Sequence, residues 1–200
     1  MKTRFLHVDR DFGHEIECTR PIVDVEITKS VGLHEHELRT MDICCIGIIV
    51  GNQIIQIHRE PRANDVSQFK REAISCIERY PLLHAFFRDF EYHGLRGYLD
   101  FDSFEIAEIK PFKGKGWTKE KFFGELVADG IARVPMPVDP LDGNGALVPR
   151  CWANGDIRSI LDHNVCCVLK EHYILEHRDH LYEKHSHRIN ENGWYEDFRI

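Results

Sequence analysis

The chain has 200 residues, 42% of them apolar, and a formal net charge of −7 at pH 7. That apolar share is ordinary for a globular protein, so one domain with a proper core is expected. The acidic balance argues against a non-specific polyanion binder, and the longest apolar stretch, around residues 43–50, is too short to span a bilayer.

Residues 3–20 alternate weakly and read as an extra strand or an extended lead-in, without an apolar signal core. Residues 21–28 read as a strand that ends in Asp24-Val25-Glu26, and the polar, histidine-bearing segment 29–41 reads as a loop. Residues 43–50 and 53–58 form a predicted hairpin, with Gly51-Asn52 suited to a primed turn. The spacing of Val66, Phe69, Ala73, Ile74 and Ile77 predicts a helix over 66–79, stopped at Tyr80-Pro81. A short strand over 82–87, a helix over 88–98 and another strand over 101–109 follow. Thr118 is a good N-cap for a helix over 118–130, with Gly130 closing it. The Pro-, Gly- and Asp-rich segment 131–150 reads as a long loop, of the kind that often carries function. From Asp156 onward, Ile157, Ile160, Leu161, Val165, Val168, Leu169 and Tyr173 fall on one stripe, predicting a helix to about residue 180. A single domain over 1–180 with a polar tail over 181–200 is the expected organisation. The chain has seven cysteines and no CxxC. The adjacent pairs Cys44-Cys45 and Cys166-Cys167 lie in apolar runs, so buried reduced thiols in a cytoplasmic protein are expected rather than a disulfide framework.

The residues with chemistry to offer stand in a particular order. Asp24-Val25-Glu26 precedes the hairpin. His84-Ala85-Phe86-Phe87-Arg88-Asp89 follows a short strand. Gly155-Asp156, then His163-Asn164-Val165-Cys166-Cys167-Val168, lie at and on the last helix. In this order of elements and motifs, over roughly residues 21–175, the chain resembles the DEDD family of 3′–5′ exonucleases. The resemblance implies an α/β, RNase H-like fold: a mixed central sheet with an antiparallel hairpin, flanked by helices. It also implies two Mg²⁺ or Mn²⁺ ions held by Asp24, Glu26 and Asp89, with His163 where one subclass keeps a tyrosine that orients the attacking water. Two-metal hydrolysis needs hard oxygen ligands around ions about 4 Å apart. The position of the family's last aspartate carries Cys167, a softer ligand that suits Zn²⁺ better than Mg²⁺. Asp162 is rotated by about 140° from it on a helix, and Asp156 lies about 16 Å away along the axis, so neither replaces it. Asp139 or Asp142 of the long loop can reach the site only if the loop folds over it.

The resemblance therefore implies a metal-dependent exonuclease acting on a single-stranded DNA or RNA end. The alternative is a catalytically degenerate domain of the same fold that binds nucleic acid or a protein partner. Lys110, Lys113, Lys115, Lys119 and Lys121 interleave with Phe112, Trp117, Phe122 and Phe123. Lysines for phosphates and aromatics for bases are the ingredients of a single-strand groove, with Lys113, Lys115 and Trp117 as the binding residues. Phe122 and Phe123 are expected in the core. His172, Glu176 and His180 stand four apart, a spacing that suits a transition metal, although a solvated helix face is the expected reading.

Overall fold

In a computed structural model, the structure describes residues 2–8, 11, 16–63, 65–132 and 137–195. Parts of the predicted lead-in, of the long loop and of the tail (9–10, 12–15, 133–136 and 196–200) lie outside the described residues. Six strands, β1 (Lys2–His7), β2 (Cys18–Ile27), β3 (Ile43–Gly51), β4 (Gln53–His58), β5 (Leu82–Ala85) and β6 (Glu105–Glu108), form one sheet in the order β1-β4-β3-β2-β5-β6. The first four are antiparallel to their neighbours; β5 and β6 continue parallel to β2. The helices are α1 (Glu35–Leu38), α2 (Val66–Ile77), α3 (Arg88–Leu99), α4 (Lys119–Ala128), α5 (Val148–Asn154), α6 (Ile157–Glu176) and α7 (Arg178–His185). The protein is an α/β fold whose mixed six-stranded sheet is flanked by helices.

The strand period of two sorts side chains between the faces. On β2, Val23 and Val25 enter the core built with Phe69, Ala73 and Ile77 of α2 and Leu95 and Leu99 of α3. Ile22 faces the other way, into the core shared with Phe122 and Leu126 of α4 and Val165, Val168 and Leu169 of α6. Asp24 and Glu26 share that second face, so strand parity alone delivers both carboxyl groups beneath α6. The hairpin turns at Gly51, whose φ of 57° is the left-handed value the tight connection requires.

One glycine sets how closely α6 lies on the sheet. Asp24, Gly47 and Gln56 are directly paired across β2, β3 and β4. A Cβ on Gly47 would stand within 2.0 Å of Asn164 Oδ1, so only glycine admits the Asn164 side chain there. Asn164 accepts a hydrogen bond from Gln56 Nε2 at 3.0 Å and donates to Asp24 Oδ2 at 2.9 Å. This buried polar bridge fixes the register of α6 over β2.

Several expected elements differ in detail. Segment 29–41 contains the single helical turn α1. The long loop ends early, because Val148–Asn154 is helical with Pro149 in its first turn, a position where its missing N–H costs nothing. The last helix breaks at His177 into α6 and α7. Rather than one apolar stripe, α6 is buried almost all round from Ile160 to Leu175, since the sheet, α4 and α5 all pack on it. Residues 181–195 are not a free tail. Leu181 is fully buried, and Tyr195 N donates to Lys113 O at 2.6 Å. All seven cysteines are free thiols, and among the described residues no helix is long and apolar enough to cross a membrane.

Candidate active site

Asp24 and Glu26 open into a cavity of about 390 Å³ lined also by Glu91, Lys119, His163 and Cys167 on its inner side and by Leu33, Phe87 and Phe90 towards solvent. Both carboxyl groups are 6% exposed. Lys119, the first residue of α4, sends its ammonium inward: Nζ donates to Asp24 Oδ1 at 2.9 Å and lies 2.5 Å from Glu171 Oε1. Glu171 is wholly buried on α6, and its Oε2 accepts from the backbone N–H of Phe86 at 3.3 Å. Glu91, in the first turn of α3, is 3% exposed, and its Oε2 has no hydrogen-bond partner among the described residues.

Four buried carboxyl groups thus face one buried ammonium. Burial, then the charge of Asp24, pushes Glu26 well above the ordinary carboxylate range. Burial, then Glu171 and Asp24, does the same to Glu91. Burial pushes Glu171 up to about 8 against the pull of Lys119. For Lys119, burial acts downward, but Asp24, Cys167 and Glu171 outweigh it and hold the ammonium well above its ordinary value. Without a further cation, the site carries more carboxyl groups than it can ionise.

A second cluster adjoins the first. His163 is 2% exposed; its Nδ1 lies 2.8 Å from Asp139 Oδ1. Asp139 comes from the long loop, which does fold over the site: its two oxygens also accept the backbone N–H groups of Leu141 at 2.9 Å and Gly143 at 3.0 Å. Burial acts upward on Asp139, but the bonds from His163 and Leu141 prevail and lower it. Since the Asp139 carboxylate only accepts, Nδ1 carries a proton. Nε2 is the ring atom that faces Glu26 Oε1 at 3.9 Å and Cys167 Sγ at 3.6 Å.

Asp24, Glu26, His163 and Cys167 therefore meet as expected. Asp89 does not join them. Its side chain is 75% exposed beside Arg88, lining a surface depression that adjoins the cavity through Leu33, Phe87 and Phe90. The reason is helical phase. The buried stripe of α3 runs through Glu91, Gly94, Leu95, Tyr98 and Leu99, and Asp89 sits about 200° round the helix from Glu91. Glu91 was legible as the acid heading an i, i+3, i+4, i+7, i+8 stripe. Glu171 was legible as the third member of His163, Cys167, Glu171 at i, i+4, i+8. The expected groove also changes. Trp117 is 5% exposed, enclosed by Phe112, Phe122, His185 and Tyr195, so it cannot stack on a base. Lys113 pairs by its backbone with the returning C-terminal segment, Lys115 stays at the surface, and Lys119 is the lysine that enters the pocket. The break at His177 takes His180 off the face of His172 and Glu176, and His180 Nε2 bonds to Asp129 at 2.9 Å instead.

The donors present suit a divalent cation. Asp24, Glu26 and Glu91 offer carboxyl oxygens to the cavity, and Glu91 Oε2 is still unpartnered among the described residues. Comparison of the chain with protein-family models, with curated proteins and with solved structures finds no match.

Proposed function

We propose that the chain is a metal-dependent hydrolase of nucleic-acid ends, built on an RNase H-like scaffold of the 3′–5′ exonuclease type. The observation that carries this reading is the meeting of Asp24, Glu26 and Glu91 with a single lysine in one open cavity, a lysine that also pairs with the buried Glu171. The sheet supports the scaffold: hairpin strands extend it on one side of β2, and parallel crossover strands extend it on the other. Asp24, Glu26 and Glu91 would hold a divalent cation, which would supply an activated water and charge stabilisation at the phosphoryl oxygens.

The chain's own residues divide the remaining tasks. Lys119 pairs with Asp24 and Glu171 and places a positive charge where a phosphate's negative charge must be balanced. Phe87 and Phe90 give the mouth of the cavity an apolar wall on which a terminal base can stack, and Leu33, 80% exposed, lines the same mouth. A second reading is favoured by Lys119 itself, whose ammonium fills the gap between Asp24 and Glu171. In that reading the domain binds a nucleic-acid end without cutting it.

The test is a time course on single-stranded DNA and RNA oligonucleotides labelled at the 5′ end, with Mg²⁺, Mn²⁺ or Zn²⁺, for wild type and Asp24→Ala. The hydrolase reading expects a ladder of products shortened from the 3′ end, absent in the variant. A metal-loaded wild type as inert as Asp24→Ala on both substrates leaves the binding reading in its place.

A further inference from the structure

We infer that Glu26, His163 and Cys167 form a three-ligand site for a single borderline-soft transition-metal ion, Zn²⁺ by preference, with its fourth position open to the cavity. The role of this ion in hydrolysis rests on the nuclease reading; its binding does not.

The geometry comes first. The ligand atoms of the three residues all lie within 4.8 Å of one another, and all three side chains are buried. Zn–S bonds of about 2.3 Å and Zn–N bonds of about 2.0–2.1 Å in a tetrahedron place sulfur and nitrogen about 3.6 Å apart. His163 Nε2 and Cys167 Sγ stand 3.6 Å apart. The corresponding N···O edge is about 3.3 Å, against 3.9 Å from Nε2 to Glu26 Oε1, a gap that a small turn of the carboxyl group closes. His163 and Cys167 share one face of α6 at i, i+4, and strand parity brings Glu26 up from β2, so two rigid elements hold the set.

The neighbour of the histidine is the second observation. A metal-binding imidazole characteristically donates its other N–H to a carboxylate, which fixes the tautomer and raises the basicity of the ligating nitrogen. Asp139 accepts such a bond at 2.8 Å and is itself held by Leu141 N and Gly143 N and by Lys170 Nζ at 3.4 Å. The long loop therefore orients a ligand as well as covering the site.

Donor chemistry then chooses the ion. One sulfur, one nitrogen and one oxygen disfavour Mg²⁺, which demands hard oxygen donors, and suit Zn²⁺ or Co²⁺. Three protein ligands with an open fourth place match a site that accepts water or substrate rather than a closed structural one. On binding, Cys167 gives up its thiol proton to solvent, and sulfur donates to the metal as thiolate.

The experiment titrates the metal-free full chain with Co²⁺ and follows thiolate-to-cobalt charge-transfer absorption and tetrahedral ligand-field bands, with Zn²⁺ as competitor. The expected result is one equivalent of Co²⁺ per chain with both signatures, displaced by Zn²⁺, unchanged in Cys18→Ser and without the thiolate band in Cys167→Ser. Asp139→Asn should weaken Zn²⁺ binding about 10- to 100-fold while keeping the thiolate band, the effect expected of an outer partner. Circular dichroism confirms that each variant is folded, and His163→Gln provides a second ligand deletion should Cys167→Ser fail to fold. An unchanged band in the ligand variants, or no binding above a chelator control, overturns the site. Zn²⁺ held by these residues without hydrolysis overturns the nuclease reading alone. Hydrolysis with Mn²⁺ and no thiolate band overturns this inference alone.

Discussion

Lys119→Met tests whether the buried carboxyl groups are a charge site or only a polar patch. Methionine keeps the length and most of the volume of the lysine stem, so packing in α4 changes little. The ammonium it removes stands 2.9 Å from Asp24 Oδ1 and 2.5 Å from Glu171 Oε1. Both partners are then left buried without a counter-ion, a loss of about 3–5 kcal/mol for a broken buried pair. In a domain of this size each kcal/mol moves Tm by about 2–4 °C, so the expected fall is roughly 10 °C. The fall should depend on pH, and its sign follows from linkage. Burial already pushes Glu171 up to about 8, above its ordinary 4.5, and pushes Glu26 and Glu91 up as well. Groups with raised folded pKa values contribute stability that is complete below their unfolded pKa and is lost as pH rises through the folded value. Removing Lys119 raises them further. The deficit should therefore be smaller near pH 5 and grow as the pH rises through about 8 to about pH 9. A divalent cation that binds only the folded state should recover part of it. Thermal unfolding at the two pH values, with and without Mn²⁺ or Zn²⁺, is the assay. Equal losses at both pH values, insensitive to metal, would refute the charge argument and leave a packing defect.

The other predictions address single residues. Glu91→Gln should abolish metal-dependent hydrolysis and Asp89→Ala should leave it and Tm unchanged, because only Glu91 faces the cavity; the reverse pattern in the oligonucleotide assay would restore Asp89 to the site. Cys167→Asp should move metal preference from Zn²⁺ towards Mn²⁺ and Mg²⁺ by replacing a soft donor with a hard one, as read by competition titration. Gly47→Ala should cost about 1–3 kcal/mol in urea unfolding by forcing Asn164 out of its place over β3. Trp117→Ala should cost about 3–5 kcal/mol as a core truncation; a variant of unchanged stability that loses nucleic-acid binding would reinstate the groove.

How far the sequence reached depended on the kind of order involved. Asp24 and Glu26 were legible because a strand has a period of two, and the alternation of Val23, Asp24, Val25 and Glu26 assigns faces without knowledge of the rest of the chain. Asp89 was misplaced because a motif counts residues, whereas a helix places side chains by angle; the stripe headed by Glu91 decides, and it includes an acid that apolar counting passes over. The roles of Lys119 and Trp117 were not legible from their own segment. Lys119 is defined by Asp24 and Glu171, and the burial of Trp117 is completed by Tyr195 from a stretch that reads as a polar tail. Asp139 was visible only as an acid on a loop of the right length, since its direction is set by the backbone N–H groups of Leu141 and Gly143.

The long helix arranges these groups along a line. Gly47, Gln56 and Asn164 fix α6 over β2 by a bridge that tolerates no side chain at position 47. Once that contact is made, His163, Cys167 and Glu171 follow at rungs of about 6 Å along the helix. The first two rungs meet Glu26 and offer nitrogen and sulfur. The last meets Lys119, which also holds Asp24, and offers oxygen and charge. One helix face therefore presents a borderline nitrogen, a soft sulfur and a hard oxygen in turn, with Cys167 in the middle. A carboxylate at that rung would make the set harder, and sulfur makes it softer instead. The choice of metal rests on one residue because the neighbouring rungs already supply both kinds of donor.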